Sequence, residues 1–141
     1  MILLDTNVVS EMMRPTPSPR VVAWLDAQIA ETLHLSAVSL AELSLGIALL
    51  PDGQRKRALH LSLAGQIEGL FGNRVLGFDA ATAQAYAIVI SRARQAERAI
   101  GMADGLIAAT ASVHGLIVAT RDTIPFEAAD LAVINPWNEP A

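Results

Sequence analysis

The sequence predicts an α/β fold: a helix-rich sandwich around a small parallel sheet. Short apolar runs at residues 2–4, 33–35 and 116–119 alternate with longer segments of helical periodicity, the pattern of strand–helix–strand crossovers. The composition leans on Ala, Leu, Ile and Val with few aromatics, which suits helices packed on a buried sheet. With 52% hydrophobic and 17% charged residues, the 141-residue chain is expected to form one compact domain, residues 1–141.

The first run, Ile2-Leu3-Leu4, reads as a buried strand ending in Asp5-Thr6-Asn7. A helix is predicted over residues 8–13. Arg14-Pro15-Thr16-Pro17-Ser18-Pro19 is then a stiff loop, because each proline fixes its own φ and restricts its predecessor. Ser18 or Pro19 opens a helix with Val21, Val22, Leu25 and Ile29 on one broad face and Trp24 at its flank. The strand at 33–35 precedes a helix that starts at Ser39-Leu40-Ala41-Glu42 and stops at Pro51-Asp52-Gly53. Residues 54–71 read as a long amphipathic helix beginning with the basic turn Arg55-Lys56-Arg57, and residues 74–78 as a third strand. Asp79 caps another long helix carrying Arg92, Arg94 and, at its end, Arg98. Asp104 opens a small-residue helix over 105–113 that His114-Gly115 ends. The strand at 116–119 leads into Thr120-Arg121-Asp122, and residues 132–134 form an edge strand before Asn135-Pro136-Trp137.

Several function classes are excluded. There is no cysteine, so disulfides, thiolate catalysis and cysteine-held zinc are absent, and a cytoplasmic setting fits. Asp5 interrupts the apolar start, so residues 1–4 are not expected to be a signal peptide. No apolar run reaches the roughly 20 residues that span a bilayer. The net charge of −4 argues against a protein that coats nucleic acid by bulk charge, but not against a nuclease that uses a cation and a few arginines. Nine of the ten basic residues are arginine, the better fork for phosphate.

Four acids carry the chemistry: Asp5, Glu42, Asp104 and Asp122. Asp5 and Asp122 follow apolar strands, and Glu42 and Asp104 are expected in the first turns of helices. Such junctions gather at the carboxyl edge of a parallel sheet. Taken singly, each acid also fits a structural duty. Asp5 and Asp104 can be N-caps, Glu42 can close a capping box with Ser39, and Asp122 can belong to a surface turn. Together they imply a concentration of negative charge. Two carboxylates about 4 Å apart at an effective dielectric of about 20 repel by roughly 4 kcal/mol, which a divalent cation would remove. Hard oxygen ligands without His or Cys suit Mg²⁺ or Mn²⁺, so the quartet reads as the site of a metal-dependent hydrolase. His34, His60 and His114 are not spaced as ligands. Trp24 and Trp137 are expected in packing, and Gly46 at a close helix contact.

In these motifs the chain resembles the PIN-domain nucleases, in particular the VapC/FitB-type toxins of prokaryotic toxin–antitoxin pairs. Ile2-Leu3-Leu4-Asp5-Thr6-Asn7-Val8 looks like their start. Ser39-Leu40-Ala41-Glu42-Leu43 with Gly46 is similar to their second acidic motif, and Ala103-Asp104-Gly105-Leu106-Ile107-Ala108 to the third. Val118-Ala119-Thr120-Arg121-Asp122 resembles the fourth, and Ile134-Asn135-Pro136-Trp137 the ending of the FitB-type branch. The resemblance implies a three-layer α/β/α sandwich and hydrolysis of RNA phosphodiesters. Asp5 and Asp104 would be the main ligands of a first Mg²⁺, and Glu42 and Asp122 would complete the pocket directly or through water. It also implies a homodimer and a small DNA-binding antitoxin of the ribbon-helix-helix kind, so that DNA is met only through that partner. Thr6 and Thr120 are candidates to orient carboxylates, with Asn7 beside them, and Arg121 to meet a substrate phosphate. The basic clusters at 55–57 and at 92, 94 and 98 either line an RNA path or form wet helix faces. Many relatives carry a further Asp before the Phe of a T-R-x-x-x-D-F stretch. Here Pro125 precedes Phe126, so the fourth acidic duty falls to Asp122 and the number of cations stays open. A looser resemblance, to haloacid-dehalogenase phosphatases with Asp5 as nucleophile, fails at the second aspartate, which is Asn7, and at the lysine, since Lys56 lies in a polar turn.

Overall fold

The computed structural model describes residues 1–140. Five short parallel strands form one sheet in the order β3-β2-β1-β4-β5. They are β1 (Ile2–Leu4), β2 (Leu33–Ser36), β3 (Val75–Leu76), β4 (Ile117–Ala119) and β5 (Val133–Ile134). β1 is central, with Leu3 in register with His34 on one side and Val118 on the other. The chain builds β1 to β3 outwards in one direction and then crosses over β1 to place β4 and β5. A topological switch point therefore lies at the carboxyl end of β1 and β4, where side chains from separate loops converge.

The three layers follow from the two-residue alternation of strand side chains. Ile2 and Leu4 point to one face and pack with Val8 and Val9 of α1 (Thr6–Met12) and Val21 and Trp24 of α2 (Pro19–Asp26). The same cluster takes Leu43 and Ile47 of α3 (Ala37–Ala48) and Leu63 of α4 (Gln54–Gln66). Leu3 points to the other face and packs with Val89 of α5 (Ala80–Gln95) and Ile107, Ala108 and Ala111 of α6 (Met102–His114). Phe126 of the short α7 (Ile124–Ala128) closes this second core and is fully buried. Phe126→Ala is expected to cost about 3–5 kcal/mol through lost burial and an unfilled cavity. A urea midpoint close to that of the unmodified chain would contradict this.

Several boundaries differ from expectation. The helix read from Ser39 starts a turn earlier, at Ala37. Its cap is Ser36, whose Oγ accepts the Ser39 N–H at 2.9 Å, so Glu42 takes no part in a capping box and sits in the second turn. The helix read from Asp104 starts at Met102 behind Gly101, so Asp104 is in the first turn but is not the cap. The predicted helix 54–71 is α-helical to Gln66 and widens to a π turn over Ile67–Phe71. Trp24 is buried rather than flanking, while Val22 and Ile29 are exposed. A Cβ on Gly46 would meet nothing within 4 Å; the close helix approach is at Gly105, where a Cβ would lie 2.9 Å from Ile90 and 3.0 Å from Tyr86. No helix among the described residues is long and apolar enough to cross a membrane.

Candidate active site

Asp5 is the innermost of the four acids, 5% exposed. It continues β1 by one residue, its N–H bonded to the Ala119 carbonyl at 2.9 Å, and it also caps α1, since Oδ1 accepts the Thr6 N–H at 2.8 Å. The capping duty and the site position therefore coexist in one residue. Oδ2 accepts the Thr120 hydroxyl at 2.7 Å and the Asn7 amide at 3.4 Å. Thr120, fully buried, in turn accepts the Asp122 N–H at 3.1 Å and the Asn7 amide at 3.2 Å. The Asn7 side-chain oxygen Oδ1 accepts the Arg121 N–H at 3.3 Å. Asp5, Asn7, Thr120 and the 121–122 backbone thus form one network that ties the end of β1 to the end of β4. Sequence spacing gave Asn7 only a weak claim, because its partners lie 113 and 114 positions away.

Glu42 reaches the same edge from α3. Its Oε1 accepts the Thr6 hydroxyl at 2.7 Å. Asp104 is half-buried in the first turn of α6, where the helix dipole favours a carboxylate. Asp122 is exposed at the exit of β4. Pro125 is buried at the start of α7.

The acids act on one another through their charge. Asp5 is pushed up from 3.8 to about 6, first by burial and then by the charges of Asp104 and Glu42, against hydrogen bonds from Thr120 and Thr6 that pull it down. Asp104 is raised by burial, then by Asp122 and Glu42. Repulsion among carboxylates contributes at both residues, but desolvation is the larger cause. The donor set is all carboxylate oxygen, which fits a hard divalent cation. Among the described residues no three His, Cys, Asp or Glu side chains are arranged to hold a metal ion by themselves. A cation here would draw on one or two carboxylates and fill its shell with water, the habit of Mg²⁺.

Beyond Thr6 and Glu42 opens a groove of about 620 Å³ between α1, α3 and α4, lined by apolar side chains together with Arg14 and Arg55. Of the basic turn at 55–57, Lys56 is committed elsewhere. Its Nζ donates to the Ala48 carbonyl at 3.0 Å and meets Asp52 at 3.4 Å, closing the α3–α4 turn. Arg94 and Arg98 line a separate cavity of about 360 Å³ with Glu97 and Ile100, and none of the four acids lines it. The Arg121 guanidinium lies over the Trp137 ring, 5.1 Å from its centroid, so Trp137 both packs on the first core and steadies an exposed cation beside Asp122. His34 Nδ1 lies 3.1 Å from the Thr32 carbonyl, remote from this chemistry.

Known proteins are similar to this chain in sequence and fold. The family model described as PIN domain matches residues 2–131. The chain is 55% identical over 139 residues to Toxin FitB of Neisseria gonorrhoeae, covering 99% of this chain and 100% of that protein. It is 50% identical over 141 residues to VapC ribonuclease Y4jK of Sinorhizobium fredii, covering both chains completely. A solved structure of FitAB bound to an IR36 DNA fragment superposes with a TM-score of 0.93 at 52% identity, covering 100% of this chain and 99% of that one. The three-layer fold is accordingly a known one, and the chain belongs to the PIN domain family.

Proposed function

We propose that this chain is a metal-dependent endoribonuclease, the toxic component of a type II toxin–antitoxin module, hydrolysing RNA phosphodiesters at Asp5, Glu42, Asp104 and Asp122. The observation that supports it is the mutual charge of these acids at the switch point of the sheet, where Asp5 and Asp104 are both raised from the ordinary carboxylate value by burial and by their acidic neighbours. The names toxin and ribonuclease carried by full-length relatives favour the same reading.

In this reading Asp5 and Asp104 hold Mg²⁺ or Mn²⁺, and Glu42 and Asp122 complete the surroundings directly or through water. When bound, the cation supplies positive charge that polarises a phosphoryl oxygen and acidifies water. Thr120 and Asn7 fix one oxygen of Asp5, and the Thr6 N–H fixes the other, so the carboxylate cannot swing away from the site. Arg121, steadied on Trp137, offers its fork to a substrate phosphate. Hydrolysis forms a bond from the water oxygen to phosphorus and breaks one ester P–O bond, and a water proton ends on the departing oxygen.

The partner in this reading is a small DNA-binding antitoxin of the ribbon-helix-helix kind. The groove beside Thr6 and Glu42 suits an amphipathic segment of such a partner, and an arginine from it would neutralise the acids as a cation does. With a net charge of −4, this chain meets DNA only through that partner. A homodimer acting in the cytoplasm completes the proposal. The purified chain is expected to cleave RNA with Mg²⁺ or Mn²⁺, to stop in EDTA and to recover when Mn²⁺ is returned. Cleavage that persists in EDTA refutes the metal-dependent reading. A chain that acts chiefly as a binding partner would instead bind antitoxin tightly, cleave nothing and give no calorimetric signal with Mg²⁺.

A further inference from the structure

A chain of three hydroxyls runs from the buried cap of α3 to the carboxylate of Glu42. Ser36 and Ser39 are both fully buried, and their Oγ atoms are 3.2 Å apart. Ser39 Oγ lies 2.9 Å from Thr6 Oγ1, and Thr6 Oγ1 lies 2.7 Å from Glu42 Oε1. Each hydroxyl has one proton to give. The Ser36 oxygen already accepts the Ser39 N–H as the helix cap, and its own proton faces Ser39 Oγ. A carboxylate only accepts, so the single Thr6 proton goes to Glu42, and the contact between Ser39 and Thr6 is then made with the Ser39 proton. The direction of the whole chain is thereby fixed at its carboxylate end, and Ser36 gives its proton to Ser39.

We propose that Ser39 is a positioning residue, which through Thr6 holds the Glu42 carboxylate in one orientation towards the acidic site. This rests on the reading of that site as a nuclease centre. Glu42 is an exposed side chain with three rotatable bonds, so without such a hold it would sample many orientations. Chains of hydrogen bonds polarise one another, so donation from Ser39 strengthens the Thr6–Glu42 bond beyond what Thr6 alone supplies. Ser39→Ala is the informative change, because the cap uses the backbone N–H of residue 39 and stays intact.

The test is a double-mutant cycle of Ser39→Ala and Thr6→Val in the full chain, read by Mn²⁺ affinity in calorimetry and by the rate of RNA cleavage. Ser39→Ala and Thr6→Val are each expected to weaken the readouts by roughly tenfold, the size of a hydrogen bond to a charged group. The double variant is expected to be no worse than Thr6→Val, and Thr6→Ser, which keeps the hydroxyl, to match the unmodified chain. Losses that multiply, or a silent Ser39→Ala, overturn the proposal, since a purely structural serine has no reason to act through Thr6. Should Ser39→Ala fail to fold, Ser39→Cys, a small side chain that donates only weakly, takes its place in the cycle. If the unmodified chain neither binds Mn²⁺ nor cleaves RNA, the nuclease reading fails by itself. The relay is then decided by the crystal structure of Ser39→Ala: a Glu42 carboxylate released from Thr6 supports it, and an unchanged Thr6–Glu42 contact overturns it.

Discussion

Asp104→Asn is expected to lower RNA cleavage by about a thousandfold or more, because charge stabilisation at such a site supplies several kcal/mol and each 1.4 kcal/mol is a factor of ten. The fold is expected to persist. Asn has the shape of Asp, and α6 is anchored by Ile107, Ala108 and Ala111 in the second core rather than by residue 104. Two electrostatic changes oppose each other in the variant. The carboxylate is lost from the first turn of a helix, where the dipole favours it. Repulsion from Asp122 and Glu42, which with burial raises the Asp104 pKa, is lost as well. The urea midpoint is therefore expected to move little while cleavage and Mn²⁺ affinity collapse together. A variant that keeps its rate to within tenfold would remove Asp104 from the chemistry.

How much of this was legible depended on the range of the forces involved. The central strands announced themselves, because Ile2-Leu3-Leu4 and the run ending at Ala119 are apolar on both faces and only a sheet covered on both sides accommodates that. The acids stood out because Asp5 and Asp122 follow such runs and Glu42 and Asp104 interrupt apolar helical stretches. Helix starts were less legible: Ser36 and Ser39 are both plausible caps three residues apart, and only the register of β2, which runs through Ser36, decides between them. The same holds for Gly101 and Asp104. α7 was missed because it is five residues long and opens with Ile-Pro, which reads locally as a break; Phe126 forms it by burial against Leu3, Val118 and Ile107, contacts no local pattern contains. The network of Asn7 with Thr120 and the step from Ser39 to Thr6 join residues more than 30 positions apart. The four acids could be read from one strand or helix at a time, whereas the hydroxyls and amides that aim them could not.

A divalent cation is expected to stabilise the folded chain at neutral pH and to lose that effect as pH falls through about 6, where Asp5 takes up a proton. Without metal, the Asp5 carboxyl is raised from 3.8 to about 6, chiefly by burial. Between these values the folded chain holds a proton that the unfolded chain has released. Stability of the metal-free protein therefore falls as pH rises through this window and levels off above it. Two pKa units correspond to roughly 3 kcal/mol, an upper figure for a group this buried. Asp104 is shifted the same way and adds to the trend, whereas exposed Asp79, shifted down by its Thr82 hydrogen bonds, opposes it weakly through solvent screening. Asp5→Asn removes the largest contribution. Its metal-free form is expected to gain stability over the unmodified chain at pH above about 7, even though the amide loses some of the Thr120 and Asn7 bonds, and to show no gain near pH 4. Mn²⁺ binds the ionised form, so at a hundredfold excess over its dissociation constant it returns about 2.7 kcal/mol to the unmodified chain and little to the variant. Urea midpoints of both proteins across this pH range, in EDTA and in Mn²⁺, measure all of these together. A stability difference that does not change with pH would mean that Asp5 titrates alike in the folded and unfolded chain and that its burial carries none of the cost assigned to it.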